Sequence, residues 1–186
     1  MPDKKHGILE REKTALLVVD YQEKLFPYVL NREQVQKRAI FAIQCLRRLQ
    51  IPIVVSEQYP KGLGVTVPEI QEALGDDYKP IPKTAFSCMG EPALVQAIDD
   101  LDIENLLIIG IETHICVAHT ALDALKDYRV HVLVDALSAR NELDHEIGAL
   151  RIRRAGAVLS TTEMAVYELL REAKTPDHKL LFDLLK

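Results

Sequence analysis

No apolar run in this chain approaches the roughly 20 residues that a helix needs to cross a bilayer, which argues against a membrane role. The first residues, Met1–Pro2–Asp3–Lys4–Lys5–His6, are polar and lack the apolar centre of a signal peptide. Cysteine is scarce. Cys45, Cys88 and Cys116 are odd in number and widely spaced, which suits reduced thiols in a cytoplasmic protein better than a disulfide framework. There is no Cys-x-x-Cys, so a thioredoxin-type redox pair is disfavoured. Neither G-x-G-x-x-G nor G-x-x-x-x-G-K-[ST] occurs, which disfavours dinucleotide and P-loop binding, and no G-x-S-x-G elbow marks a serine hydrolase. The histidines His6, His114, His119, His131, His145 and His178 are dispersed, whereas a metal site needs several convergent donors. A net charge of -5 leaves no surplus of cations for nucleic acid.

What is present describes one globular unit. A chain of 186 residues accommodates a single domain with a substantial core, and 48% hydrophobic with 27% charged residues is a globular composition. Internal repeats and low-complexity segments are lacking.

The pattern alternates strands and helices. Thr14–Asp20 reads as a buried strand ending in a carboxylate, and Asn31 is placed to cap a helix with Val35, Ala39, Ala42, Ile43, Leu46 and Leu49 on its apolar face. Cys45 falls within that helix as core packing. Pro52–Val55 is a third short strand candidate. From Ser56 to Pro82 the chain is rich in Pro and Gly, which predicts a long irregular excursion serving as a lid, a pocket wall or an oligomer arm. Pro82–Cys88 reads as a short strand and Pro92–Ile98 as a helix. Val130–Asp135 is a strand, Glu142–Ala155 a helix stopped by Gly156, Val158–Ser160 a strand and Thr162–Glu172 a helix, with another helix over Asp177–Leu185. The cluster Arg151, Arg153 and Arg154 reads as a solvated helix face or an oligomer contact. Strands aliphatic on both faces, alternating with helices, predict a parallel sheet covered by helices on both sides, an α/β fold.

The most informative stretch is Asn105–Ala118. An aliphatic run ends at Gly110, and apolar residues from Val117 onward follow helical spacing, which puts Cys116 in the first turn of a helix that Thr113 can cap. Unpaired amides and the helix dipole at such a position lower a thiol's pKa and favour the nucleophilic thiolate. A small buried hydrophobe is the other, commoner fate of a free Cys. Ligands in open α/β sheets bind beyond the carboxyl ends of the strands, and Asp20, Lys83 and Cys116 all fall at such ends. An acid able to accept the thiol proton, an ammonium to stabilise both anions and a thiol together make a nucleophilic site.

Several segments resemble the isochorismatase-like cysteine hydrolases: Val18–Val19–Asp20–Tyr21–Gln22, Lys83–Thr84–Ala85–Phe86, Gly110–Ile111–Glu112–Thr113–His114–Ile115–Cys116–Val117, Asp135–Ala136–Leu137–Ser138–Ala139–Arg140 and Thr161–Thr162–Glu163–Met164. The likeness runs from Thr14 to Leu170, and Ser56–Gly64 is similar to the isochorismatase domain-containing subgroup. The resemblance implies a three-layer α/β/α sandwich around a six-stranded parallel sheet, with a core at about 14–172 of the single domain 1–186. It further implies a catalytic triad of Asp20, Lys83 and Cys116, a cis peptide between Ile111 and Glu112, and an oxyanion hole from the backbone N–H groups of Glu112 and Cys116. The related nicotinamidases bind a metal through an Asp-x-His, whereas this chain has Ser56–Glu57–Gln58–Tyr59 there, so neither metal nor other cofactor is expected. A thiol is not needed for vinyl-ether cleavage by isochorismatases, so hydrolysis of a C–N or related acyl bond is favoured. Gln22, Phe26, Tyr59, Leu63, Phe86, Ile111, His114, Ile115 and His119 are the candidate pocket walls for a small-molecule substrate, with core packing the alternative for Phe26, Phe86 and Ile115. Homo-oligomers are common in this family, and the apolar tail Leu180–Leu185 offers one surface for association. A scaffold without catalysis and a redox-sensing thiol at Cys116 are the competing functions.

Overall fold

The computed structural model describes residues 8–186, so the N-terminal segment containing His6 lies outside the described residues. Six strands, β1 (Thr14–Val19), β2 (Ile53–Gln58), β3 (Ile81–Lys83), β4 (Asn105–Ile111), β5 (Arg129–Ser138) and β6 (Val158–Ser160), form one parallel sheet in the order β3-β2-β1-β4-β5-β6. The helices are α1 (Arg32–Arg48), α2 (Pro60–Leu63), α3 (Pro68–Leu74), α4 (Pro92–Asp99), α5 (Ala118–Ala124), α6 (Glu142–Arg154), α7 (Thr162–Leu170) and α8 (Pro176–Leu180). Among the described residues no helix is long and apolar enough to cross a membrane.

Alternation along the strands builds two cores. Leu16 and Val18 of β1, with Leu107, Ile109 and Ile111 of β4, point toward α1, α3 and α7. Leu17 and Val19, with Leu106 and Ile108, point toward α4, α5 and α6. Each buried aliphatic side chain is worth about 1.5–3 kcal/mol, so a strand buried on both faces is strongly placed. Cys45 packs in the first core. Leu181 of the tail is buried there too, with Leu184 and Leu185 against it. The tail thus covers the chain's own core, leaving Leu180 and Phe182 exposed.

The segment after Ser56 is more ordered than its Pro and Gly content suggests. Strand β2 runs on to Gln58, and α2 and α3 follow. Buried Glu57 ties them down, since its Oε1 accepts from Thr66 N, Thr66 Oγ1 and Tyr78 OH, each at 2.8 Å. Strand β3 is only Ile81–Lys83, because the chain bends from Thr84 to Ser87 and adds no further residues to the ladder. Asn31 occupies the N-cap of α1, but in a left-handed conformation with no side-chain cap, while Asn141 caps α6 through Leu143 N and Asp144 N.

Candidate active site

Strand order reverses between β1 and β4, the neighbouring strands whose connections run to opposite sides of the sheet. A crevice forms at such a point, beyond the carboxyl ends of the strands. The backbone there turns sharply. Asp20 after β1, Tyr59 after β2 and Glu112 after β4 are all left-handed, at φ 57°, 38° and 57°. Such conformations cost on the order of 1–3 kcal/mol each in a non-glycine residue and cluster at functional sites. Gly110 lets β4 come close, since a Cβ there would sit 2.7 Å from Val19 Cβ and 2.8 Å from Val19 O.

Asp20 and Lys83 form a buried ion pair, with Lys83 Nζ 2.8 Å from Asp20 Oδ2 and side chains 0% and 1% exposed. Lys83 Nζ also donates to Gln58 Oε1 at 2.6 Å and to the carbonyls of Ala85 and Phe86 at 3.3 and 3.2 Å. Four oxygen acceptors offset the desolvation of the ammonium. Burial alone lowers its pKa, but the Asp20 carboxylate and the nearby sulfurs of Cys116 and Cys88 raise it further, so the net direction is upward. The other Asp20 oxygen, Oδ1, accepts from Ser56 Oγ at 2.8 Å, and Cys88 Sγ lies 3.5 Å from the same hydroxyl.

Cys116 lies close enough to this network for the charges of Asp20 and Lys83 both to act on its thiol. It lies in a π-helical turn, Thr113–Val117, that leads from β4 into α5. Its thiol is pushed up well above the usual range, chiefly by burial and then by the Asp20 carboxylate, with Lys83 pulling the other way. The lowered thiol pKa expected at a helix start is therefore reversed, because burial and the Asp20 carboxylate outweigh Lys83. Burial also pushes up the Cys88 thiol, so neither has the low-pKa character of a redox sensor. Thr113 does not cap the helix. Its hydroxyl donates to Ser138 O at 3.0 Å and lies 2.8 Å from His145 Nδ1.

No cis peptide occurs among the described residues, so the Ile111–Glu112 bond is trans, and the left-handed Glu112 makes the turn instead. The expected convergence of the Glu112 and Cys116 amides rested on that cis bond. The Glu112 side chain is held by Arg140, whose Nε and Nη2 lie 3.0 and 3.4 Å from its two oxygens.

The proposed pocket walls divide. Phe26 and Ile111 lie in the first core, Phe26 with its ring centroid 5.6 Å from Tyr21. Gln22 is a buried strut: its Nε2 donates to Gln58 O and Gly64 O at 2.9 and 2.7 Å, and its Oε1 accepts from Gln58 N at 2.7 Å. Tyr59 and Phe86 are exposed, and the Phe86 ring stands edge-on to His119 at 6.2 Å. Leu63, His114 and Ile115 are half-buried. Ser56 and Gln58 were not singled out as site residues from sequence, although the two-residue period of a strand puts both on the face that carries Lys83. No group of three or more His, Cys, Asp and Glu among the described residues is arranged to hold a metal ion. Where the metal-binding relatives are implied to carry Asp-x-His, Ser56 and Gln58 are engaged with Asp20 and Lys83.

The isochorismatase domain model matches residues 14–164. The chain belongs to the isochorismatase family. Mouse isochorismatase domain-containing protein 2A is 37% identical over 182 residues, covering 97% of this chain and 86% of the relative. The structure described as MAR1 ribonuclease from Caenorhabditis elegans superposes with a TM-score of 0.89 at 35% identity, covering 96% of this chain and 92% of that one. The Escherichia coli YcaC gene product, described as an octameric hydrolase of unknown specificity, gives a TM-score of 0.90 at 25% identity over 98% of this chain and 91% of that one. The three-layer α/β fold around a parallel six-stranded sheet is the one these structural neighbours share.

Proposed function

We propose that this isochorismatase-family chain is a metal-independent cysteine hydrolase that cleaves a small amide, imide or ureido compound through a Cys116 thioester. The observation that carries the reading is the solvent-sealed Asp20–Lys83 pair at the switch point of the sheet, whose two charges both act on the Cys116 thiol. In the resting site Cys116 is a neutral thiol, and Asp20 is its proton acceptor when substrate arrives. As the proton passes to Asp20, the Cys116 sulfur bonds to the substrate carbonyl carbon and the carbonyl electron pair moves to oxygen. The Cys116 backbone N–H, in the turn that leads into α5, is the donor we assign to that oxyanion. The C–N bond then breaks as Asp20 returns its proton to the leaving nitrogen. Water attacks the thioester, the acid departs, and sulfur recovers a proton. Lys83 holds charge and position throughout, and Gln58 and Ser56 hold Lys83 and Asp20. Tyr59, Leu63, Phe86, His114, Ile115 and His119 form the substrate-facing rim in this reading, at a scale suited to a small molecule.

RNA is a poorer substrate for this chemistry, because a phosphodiester cannot give a thioester and the chain carries a net charge of -5. The test is a panel of amides, imides, carbamoyl compounds and an RNA oligonucleotide, run with wild type and Cys116→Ala and followed by intact-protein mass spectrometry. A carbonyl substrate should yield a transient acyl adduct and turnover, both abolished in the variant. Turnover retained by Cys116→Ala, or cleavage of the RNA alone, overturns the thioester reading. We also infer that the chain self-associates, as the octameric Escherichia coli relative does.

A further inference from the structure

Helix α6 presents an apolar stripe to solvent. Leu143, Ile147 and Leu150 are 64%, 54% and 39% exposed, and their spacing of four and three residues lines them up along one face. The opposite face supplies the buried residues Gly148 and Ile152. Scattered surface aliphatics need no explanation, but an aligned row does. The charges on the helix are segregated as well. Glu142, Asp144 and Glu146 lie in the first half, and Arg151, Arg153 and Arg154 in the second. The helix's own dipole favours that order of charge, yet it gives no reason for three aliphatic side chains aligned on one exposed face. At 3.6 residues per turn, Glu146 and Arg153 flank the stripe on one side, and Asp144 and Arg151 on the other.

We propose that this face pairs with α6 of a second copy of the chain, antiparallel about a twofold axis, a proposal that rests on the self-association inferred above. In that arrangement the stripes meet. On each flank the acidic first half of one helix lies along the basic second half of the other. A parallel pair would instead set like charges together. A twofold axis is the operation that makes one patch its own complement.

The pairing bears on the candidate site because α6 is packed against the turn that carries Cys116. A Cβ on Gly148 would lie 2.8 Å from His114 Cα and 2.9 Å from His114 N, so helix and turn are in direct backbone contact. His145 Nδ1 lies 2.8 Å from Thr113 Oγ1. A second copy on the outer face of α6 would brace that turn from behind.

The experiment measures molar mass by light scattering and sedimentation for the full chain in the micromolar range. Asp144→Arg with Glu146→Arg makes the four flanking positions 144, 146, 151 and 153 all basic, and Arg151→Glu with Arg153→Glu makes the same four all acidic. Each double variant alone should have about half the mass of the wild-type assembly, and an equimolar mixture of the two should recover the full mass. That recovery also shows that both variants are folded. A monomeric wild type overturns the self-association and this surface together. An associated wild type whose variants keep their mass, or lose it without recovery on mixing, overturns the α6 surface alone.

Discussion

Lys83 Nζ and Asp20 Oδ2 stand 2.8 Å apart in a region closed to solvent, although 63 residues separate them in the chain. Breaking a buried pair leaves an uncompensated charge and costs about 3–5 kcal/mol, whereas removing both charges is far cheaper. Lys83→Met should therefore lower stability by about that amount, and Asp20→Asn combined with Lys83→Met should restore most of it. Hydrolysis should be absent from both variants. Urea unfolding of the two singles and the double closes the cycle; additive losses would show that the pair is not coupled.

The same carboxylate governs the thiol. Burial and Asp20 raise the Cys116 pKa while Lys83 lowers it. The ligand-free protein should therefore hold a neutral thiol at pH 7, with alkylation by iodoacetamide slow there and climbing only in alkaline solution. The sign of each neighbour gives a sharper expectation. Asp20→Asn removes a charge that raises the pKa, so its Cys116 should alkylate faster than wild type at pH 8 while its hydrolysis falls. Lys83→Met should alkylate more slowly. Peptide mass spectrometry of the labelled thiol separates Cys116 from Cys45, whose thiol burial pushes up to about 12. Slower labelling of Asp20→Asn would contradict this electrostatic assignment.

Gln22 offers a test of structural against substrate-binding roles. All three of its side-chain hydrogen bonds go to the backbone of Gln58 and Gly64, and it is completely buried. Gln22→Leu leaves those groups unsatisfied at a cost of about 1–3 kcal/mol for each one that water cannot reach. Melting temperature should drop, with KM on any substrate found in the panel changing little at temperatures where the variant is folded. A KM effect without destabilisation would return Gln22 to the substrate pocket.

Much of this arrangement was legible in the sequence because burial writes a local record. A strand buried on both faces must be aliphatic at successive positions, so Asn105–Ile111 and Thr14–Val19 could be read directly, and the polar residues just beyond them mark the strand ends. The family motifs add the grouping of Asp20, Lys83 and Cys116. Ser56 and Gln58 were harder to see, since their part depends on which strands lie beside β2, and strand order has no local signature. The Pro and Gly content after Ser56 likewise pointed to irregular chain, because the tether that orders it is the buried side chain of Glu57.

The sequence alone determined the layered α/β architecture, the family and the side chains that gather at the carboxyl end of the sheet. Periodicity of two or 3.6 residues and short motifs are local, and they survive in one dimension. Tertiary structure decided how those side chains behave. The thiol of Cys116 is raised, not lowered, because the sum of burial, Asp20 and Lys83 fixes its sign, and those contributions come from remote parts of the chain. The trans Ile111–Glu112 bond, the diversion of Thr113 to Ser138 and His145, and the exposure of Leu143, Ile147 and Leu150 are decided in the same way. Each depends on what the folded chain brings next to a residue, which its neighbours in sequence do not record.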